Sequence, residues 1–96
     1  MSSTLDFARD TFKINPRYRL QWEDAQQCHV LLYPEGLVKL SGTAAEILGR
    51  CQQPTRAAEL IAELQREYPA ADTLADDVME FLTHARQQEW IKRTED

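Results

Sequence analysis

The stretch Tyr33-Pro34-Glu35-Gly36, set between the apolar runs Cys28–Tyr33 and Leu37–Leu40, constrains the fold more than any other part of the chain. Pro34 presets φ for the first corner of a type I turn, and Gly36 supplies the left-handed conformation that a three-residue hairpin loop needs in its bulge. Leu32 and Val38 are therefore expected on adjacent antiparallel strands. Upstream, Tyr18, Leu20 and Trp22 alternate with Arg17, Arg19 and Gln21, the period-two pattern of a half-buried strand, and the polar Glu23-Asp24-Ala25-Gln26-Gln27 supplies the turn after it. The nearly all-apolar Cys28–Tyr33 is then the middle strand, and Leu37–Leu40 a short third one.

Ser41-Gly42 ends the third strand, and Thr43-x-x-Glu46 reads as a capping box opening a first helix whose apolar side carries Ala44, Ile47, Leu48 and Cys51. Pro54 closes that segment. A second helix begins near Thr55 with Ala57, Leu60, Ile61, Leu64 and Tyr68 at helical spacing, and Pro69 stops it. A third begins around Asp72 or Thr73, with Asp76 and Asp77 suited to the positive end of its dipole and Leu74, Val78, Phe81, Leu82 and Ala85 on its apolar face. Trp90 and Ile91 pack the tail back on the core. The order predicts an α+β, winged-helix-like domain: a three-stranded antiparallel meander followed by three helices. Residues 1–15, with isolated apolar residues in no sustained period, are expected to be a flexible arm, residues 16–92 the domain, and residues 93–96 a frayed tail.

A chain of 96 residues is expected to form one compact domain with one core and no second catalytic domain beside it. The formal charge of −5 disfavours nucleic acid and anionic membrane as partners, since both demand clustered Lys and Arg. No apolar run suits a signal peptide or a membrane span, which points to the cytoplasm. Cys28 and Cys51 are too far apart for a Cys-x-x-Cys pair and read as buried thiols; with His29 and His84 they offer no metal-ligand spacing. Asp76, Asp77 and Glu80 on early helix turns read as a solvated, dipole-complementing face rather than an acid–base pair, and no phosphate loop or nucleophile elbow occurs. A non-enzyme without cofactor or metal is expected.

Pro16–Trp22, Leu31–Leu48, Gly49-Arg50-Cys51 and Asp76–Leu82 together resemble the PqqD family of pyrroloquinoline quinone (PQQ) biosynthesis, over roughly Pro16 to Ile91. Arg19, Leu31, Leu32, Pro34, Glu35, Gly36, Ala44, Ile47, Leu48, Asp77, Val78, Phe81 and Leu82 carry the likeness in order. Gln52-Gln53 departs from the Asp-Gly often found there in the family. The resemblance implies a RiPP recognition element, a non-catalytic module that binds the leader of the precursor peptide PqqA and presents it to the radical SAM enzyme PqqE, which joins a Glu and a Tyr of the precursor. It further implies that the leader pairs with the third strand and enters a cleft between that strand and the third helix. The expected peptide-binding residues are Leu37, Val38, Lys39 and Leu40 on the strand, and Asp77, Val78, Phe81, Leu82 and Ala85 on the helix.

The residues alone allow the same reading, because the outer strand of a meander has unpaired backbone groups open to strand addition. Its bland counterpart is an edge protected by brevity and by Lys39. Two to four backbone hydrogen bonds at about 0.5–1.5 kcal/mol each scarcely meet an association cost of at least about 4 kcal/mol, so buried apolar anchors must supply the rest. Two rivals stand beside it: a winged-helix DNA-binding regulator, disfavoured by acids on the third helix, and a docking module that binds no peptide. The chain is expected as a monomer or homodimer.

Overall fold

The computed structural model describes residues 5–94, arranged as β1 (Phe12–Ile14), β2 (Arg19–Glu23), β3 (Cys28–Tyr33), β4 (Gly36–Lys39), α1 (Gly42–Gly49), α2 (Ala57–Glu67), α3 (Leu74–Gln87) and β5 (Ile91–Arg93). The expected meander is present as a three-stranded antiparallel sheet in the order β2-β3-β4, followed by three helices. Cross-strand partners share a face, so the register puts Leu20, Leu31 and Val38 together on one side and Gln21, Val30 and Lys39 on the other. The first of these faces meets the helices. Leu31 joins a core with Ile47, Leu48, Leu60, Leu64, Val78, Leu82 and Ala85, and Leu20 and Val38 pack against it. Trp22 lies on the same face but remains 48% exposed, its ring edge-on to His29 at 5.2 Å.

The hairpin at Pro34 differs from the expectation in its loop. Tyr33 pairs with Gly36, which leaves a two-residue loop of Pro34 and Glu35 rather than three residues with a bulge. The primed turns that suit so short a loop need a positive φ that proline cannot take, and the backbone adjustment falls instead on Gly36, at φ 156°. A side chain is disfavoured there on conformational grounds.

The cap of α1 is also displaced. Ser41, not Thr43, is the N-cap: its Oγ accepts a hydrogen bond from the Ala44 N–H at 3.1 Å. Glu46 is thereby released from the expected box and pairs with Arg50 one turn on, at 3.1 Å. A serine right behind the last strand residues starts the helix as early as the chain permits.

The arm expected over residues 1–15 is, from Leu5 onward, part of the domain. Leu5, Phe12 and Ile14 are buried, and β1 pairs antiparallel with β5 through Phe12–Arg93, Lys13–Lys92 and Ile14–Ile91. On its other side β1 is held by the loop after α1: Phe12 exchanges backbone hydrogen bonds with Thr55, and the Ile14 N–H donates to the Cys51 carbonyl at 2.8 Å. Buried Asn15 ties both ends of the chain together, its Nδ2 donating to the Glu89 carbonyl at 2.8 Å. The expected frayed tail is likewise paired as far as Thr94, whose N–H donates to the Thr11 carbonyl. A three-residue strand carries too little period to be seen locally, and its partner lies at the opposite end of the sequence. Residues 1–4 of the expected arm and 95–96 of the expected tail lie outside the described residues.

Candidate functional site: an open strand edge leading to an apolar groove

β4 is an outer strand of its sheet, and among the described residues no strand pairs with its far side. Which of its backbone groups are free follows from one hydrogen bond. The Leu40 N–H donates to the His29 carbonyl at 3.0 Å, which makes Leu40–His29 a hydrogen-bonded pair. Because such pairs alternate in an antiparallel ladder, Val38 also spends its N–H and C=O on β3, opposite Leu31. The groups that face outward are those of Leu37 and Lys39. Both residues are exposed, Leu37 to 44%, and among the described residues no strand covers the edge they form.

Beyond Leu40 the chain turns into α1, and there a groove of about 530 Å³ opens. It is walled by the first turns of α1 (Gly42, Thr43, Glu46, Ile47), by the end of α2 and the residues after it (Leu64, Tyr68, Ala71), and by the first half of α3 (Leu74, Asp77, Val78, Phe81). Ile47, Leu64 and Val78 are buried and form its floor. Leu74 and Phe81 are half-buried, and Phe81 leans toward Trp90 with ring centroids 6.3 Å apart. Tyr68 is 47% exposed at the C-terminal end of α2, where Pro69 prevents the helix from continuing over it.

Arg50 fixes the spacing of two of these walls. Its Nη2 contacts Glu46 on α1 at 3.1 Å and Glu67 at the end of α2 at 2.6 Å. The hydrogen bond from Arg50 holds the Glu67 carboxyl below its usual range, and the same bond shifts the guanidinium further into its charged form. At the other side of α1, burial alone pushes the Cys51 thiol up to about 12, so it packs as an inert hydrophobe and is not a nucleophile. Among the described residues no three His, Cys, Asp or Glu side chains gather as a metal ion would require, and no helix is long and apolar enough to cross a membrane.

The nine residues singled out from the sequence separate into four groups. Leu37 and Lys39 form the open edge. Val38 and Leu40 turn toward the core and make no outward hydrogen bond, and none of Leu37–Leu40 lines the groove. Asp77, Val78 and Phe81 line it; Leu82 and Ala85 are fully buried in the core and do not. The groove is walled by α1, α2 and α3, and β4 approaches it through Leu40 and Ser41, which lead directly into α1. Ile47, Leu64, Tyr68 and Leu74 were assigned to ordinary helix packing by the sequence; the signal that marked one of them was an aromatic residue placed directly before Pro69.

The fold and the site together define a small winged-helix-like α+β domain, built to offer an unpaired strand and an adjoining apolar groove. A family model described as Coenzyme PQQ synthesis protein D (PqqD) matches residues 28–91. A PqqA binding protein of Azotobacter vinelandii (strain DJ) is 49% identical over 75 residues, 78% of this chain and 82% of that protein. One of Klebsiella pneumoniae (strain 342) is 53% identical over 74 residues, 77% and 80% of the two chains. The chain belongs to the PqqD family. Its fold is similar to the solution NMR structure of the PqqD truncation of Methylobacterium extorquens PqqCD, a RiPP recognition element, with TM-score 0.73 and 21% identity over 95% of this chain and 97% of that one.

Proposed function

We propose that the chain binds the precursor peptide PqqA by strand addition at the open edge of β4 and presents it to the radical SAM enzyme PqqE. The observation that carries this reading is the continuity of two features: the outward groups of Leu37 and Lys39, and the groove that begins at Gly42 just beyond them. Backbone pairing fixes the direction and register of the guest, and the groove supplies the apolar burial that pairing lacks. The outward groups of two residues offer about four bonds at about 0.5–1.5 kcal/mol each, close to the minimum association cost of about 4 kcal/mol. Two apolar side chains on the groove floor, at about 1.5–3 kcal/mol each, bring the total toward the roughly 8 kcal/mol of a micromolar complex. The names of the relatives support the identity of the guest.

The domain itself is non-catalytic in this reading. PqqE performs the chemistry, and a peptide held beside it is present at high effective concentration. Titrating isotope-labelled protein with PqqA tests the proposal: the amide signals of Leu37 and Lys39 and of the groove residues from Gly42 to Phe81 are expected to shift together. Shifts confined to any other surface, or no binding, would sink it. Adding PqqE to the complex then shows whether peptide and enzyme are held at once.

A further inference from the structure

On the reading that the groove receives a guest peptide, we propose that it selects a segment in which a bulky apolar side chain stands beside a Lys or Arg, with Asp77 taking the cation. The floor is apolar, but the rim carries carboxylates at Glu46 and Asp77. No cation is among the described residues that line the groove, and nearby Arg50 is committed to Glu46 and Glu67 at 3.1 and 2.6 Å. Asp77 has no ion-pair partner among the described residues; its Oδ2 accepts one hydrogen bond, from Thr73 Oγ1 at 2.9 Å. A carboxylate offers about four acceptor sites, so most of its capacity is open to the groove.

Asp76 and Asp77 both suit the N-terminal end of α3, which accounts for acids in this turn. It does not account for their placement. Asp76 lies off the groove, whereas Asp77 lines it directly beside Val78 and one turn from Phe81. A guest that seats an apolar side chain on the floor brings its neighbouring side chains to this rim. An acidic neighbour there meets a like charge, and a basic one meets an exposed carboxylate that has no ion-pair partner among the described residues. The chain's net charge of −5 favours the approach of a basic segment as well.

The test measures PqqA affinity by calorimetry for the wild type, Asp77→Asn, Asp77→Glu, Thr73→Ala and Lys39→Pro, at low and high salt. Asp77→Asn is expected to weaken binding about five- to tenfold at low salt and to flatten its salt dependence. Asp77→Glu restores most of the affinity, and Thr73→Ala, which removes only the hydrogen bond, leaves it within about twofold. Replacing the Lys and Arg residues of PqqA by Gln is expected to weaken binding to the wild type but not further to Asp77→Asn, the coupling that a direct pair requires. That peptide-side measurement needs no protein variant for its first half, and wild-type binding unchanged by the Gln replacements overturns the cation selection even if Asp77→Asn fails to fold. Unchanged affinity and salt dependence in Asp77→Asn, with Lys39→Pro still impaired, overturns the cation selection and leaves strand addition standing. Wild-type binding that neither variant affects overturns the site itself.

Discussion

Among the described residues the three-stranded sheet has two open edges, and they differ in what lies beside them. β4 directs the N–H and C=O groups of Leu37 and Lys39 outward; the same alternation applied to β2 directs those of Leu20 and Trp22 outward. Both edges thus offer the outward groups of two residues. Beside β4 the surface continues into a groove floored by Ile47, Leu64 and Val78. Beside β2 lies a hollow of about 420 Å³ lined by Arg17, Arg19 and Gln52 together with Ile14, Leu20, Leu32 and the tilted pair Tyr18 and Tyr33, with Arg17 loosely paired to Glu35 at 3.8 Å. An unpaired strand is a general invitation. The surface beyond its end decides whether a guest gains enough apolar burial to stay: beside β4 the floor is wholly apolar, whereas beside β2 apolar side chains share the hollow with two arginines.

That contrast can be broken most forcefully inside the β4 hairpin. Val38→Pro removes a donor that belongs to β3 and leaves the Leu31 carbonyl without its partner, a loss of about 2–3 kcal/mol of stability. Chemical denaturation is expected to show it, so any fall in peptide affinity in this variant follows from damage to the hairpin. Phe81→Ala removes a wall of the groove and is expected to weaken PqqA binding by about 1–2 kcal/mol, since the ring is half-buried already. Full affinity in a folded Phe81→Ala protein would place the guest elsewhere.

A pair of prolines compares the two edges directly. Lys39→Pro deletes an outward donor at β4 while sparing the ladder to β3, and is expected to cost about 1–1.5 kcal/mol of peptide affinity with Lys39→Ala as the charge control. Trp22→Pro makes the equivalent deletion at β2 and is expected to leave affinity unchanged. If the two prolines act equally, or the effects are reversed, the assignment of the guest to β4 is wrong.

Much of this arrangement was legible before any coordinate. The alternation from Arg17 to Trp22, the Pro-Glu-Gly turn and the helical spacings each encode a local period, and they located three strands and three helices to within a few residues. Phe81 and Asp77 were legible as groove residues because the family resemblance singled them out. Other features were not legible because they depend on distant parts of the chain. β1 exists because β5 and Thr55 lie beside it, and no local pattern in Phe12-Lys13-Ile14 reveals partners so far along the sequence. Which of Val38 and Lys39 points outward depends on the phase of the ladder, which the loop length sets: a two-residue loop pairs Tyr33 with Gly36, and a bulge would have changed that pairing. Leu82 and Ala85 share a stripe with Val78 and Phe81, and only the packing of α2 and β5 separates groove from core.

The smallest effect concerns the ion pairs on the two sides. Arg50 joins Glu46 and Glu67 and braces the groove, whereas Arg17 and Glu35 meet at 3.8 Å between exposed side chains. Isolated exposed pairs contribute about 0–1 kcal/mol, so Glu35→Gln is expected to leave the melting temperature unchanged. Glu67 is different because the bond from Arg50 lowers its folded-state carboxyl pKa. A depressed carboxyl contributes stability that is fully present above its unfolded value, about 4.5, and is lost as pH falls through the folded value. Melting curves of wild type and Glu67→Gln should therefore differ slightly at neutral pH and converge in acid, while Glu35→Gln tracks the wild type throughout. Curves for Glu67→Gln and wild type that stay parallel into acid would mean that the Arg50 brace contributes nothing. The groove beside β4 would then be held by apolar packing alone, and the two sides of the sheet would no longer differ in how their ion pairs support them.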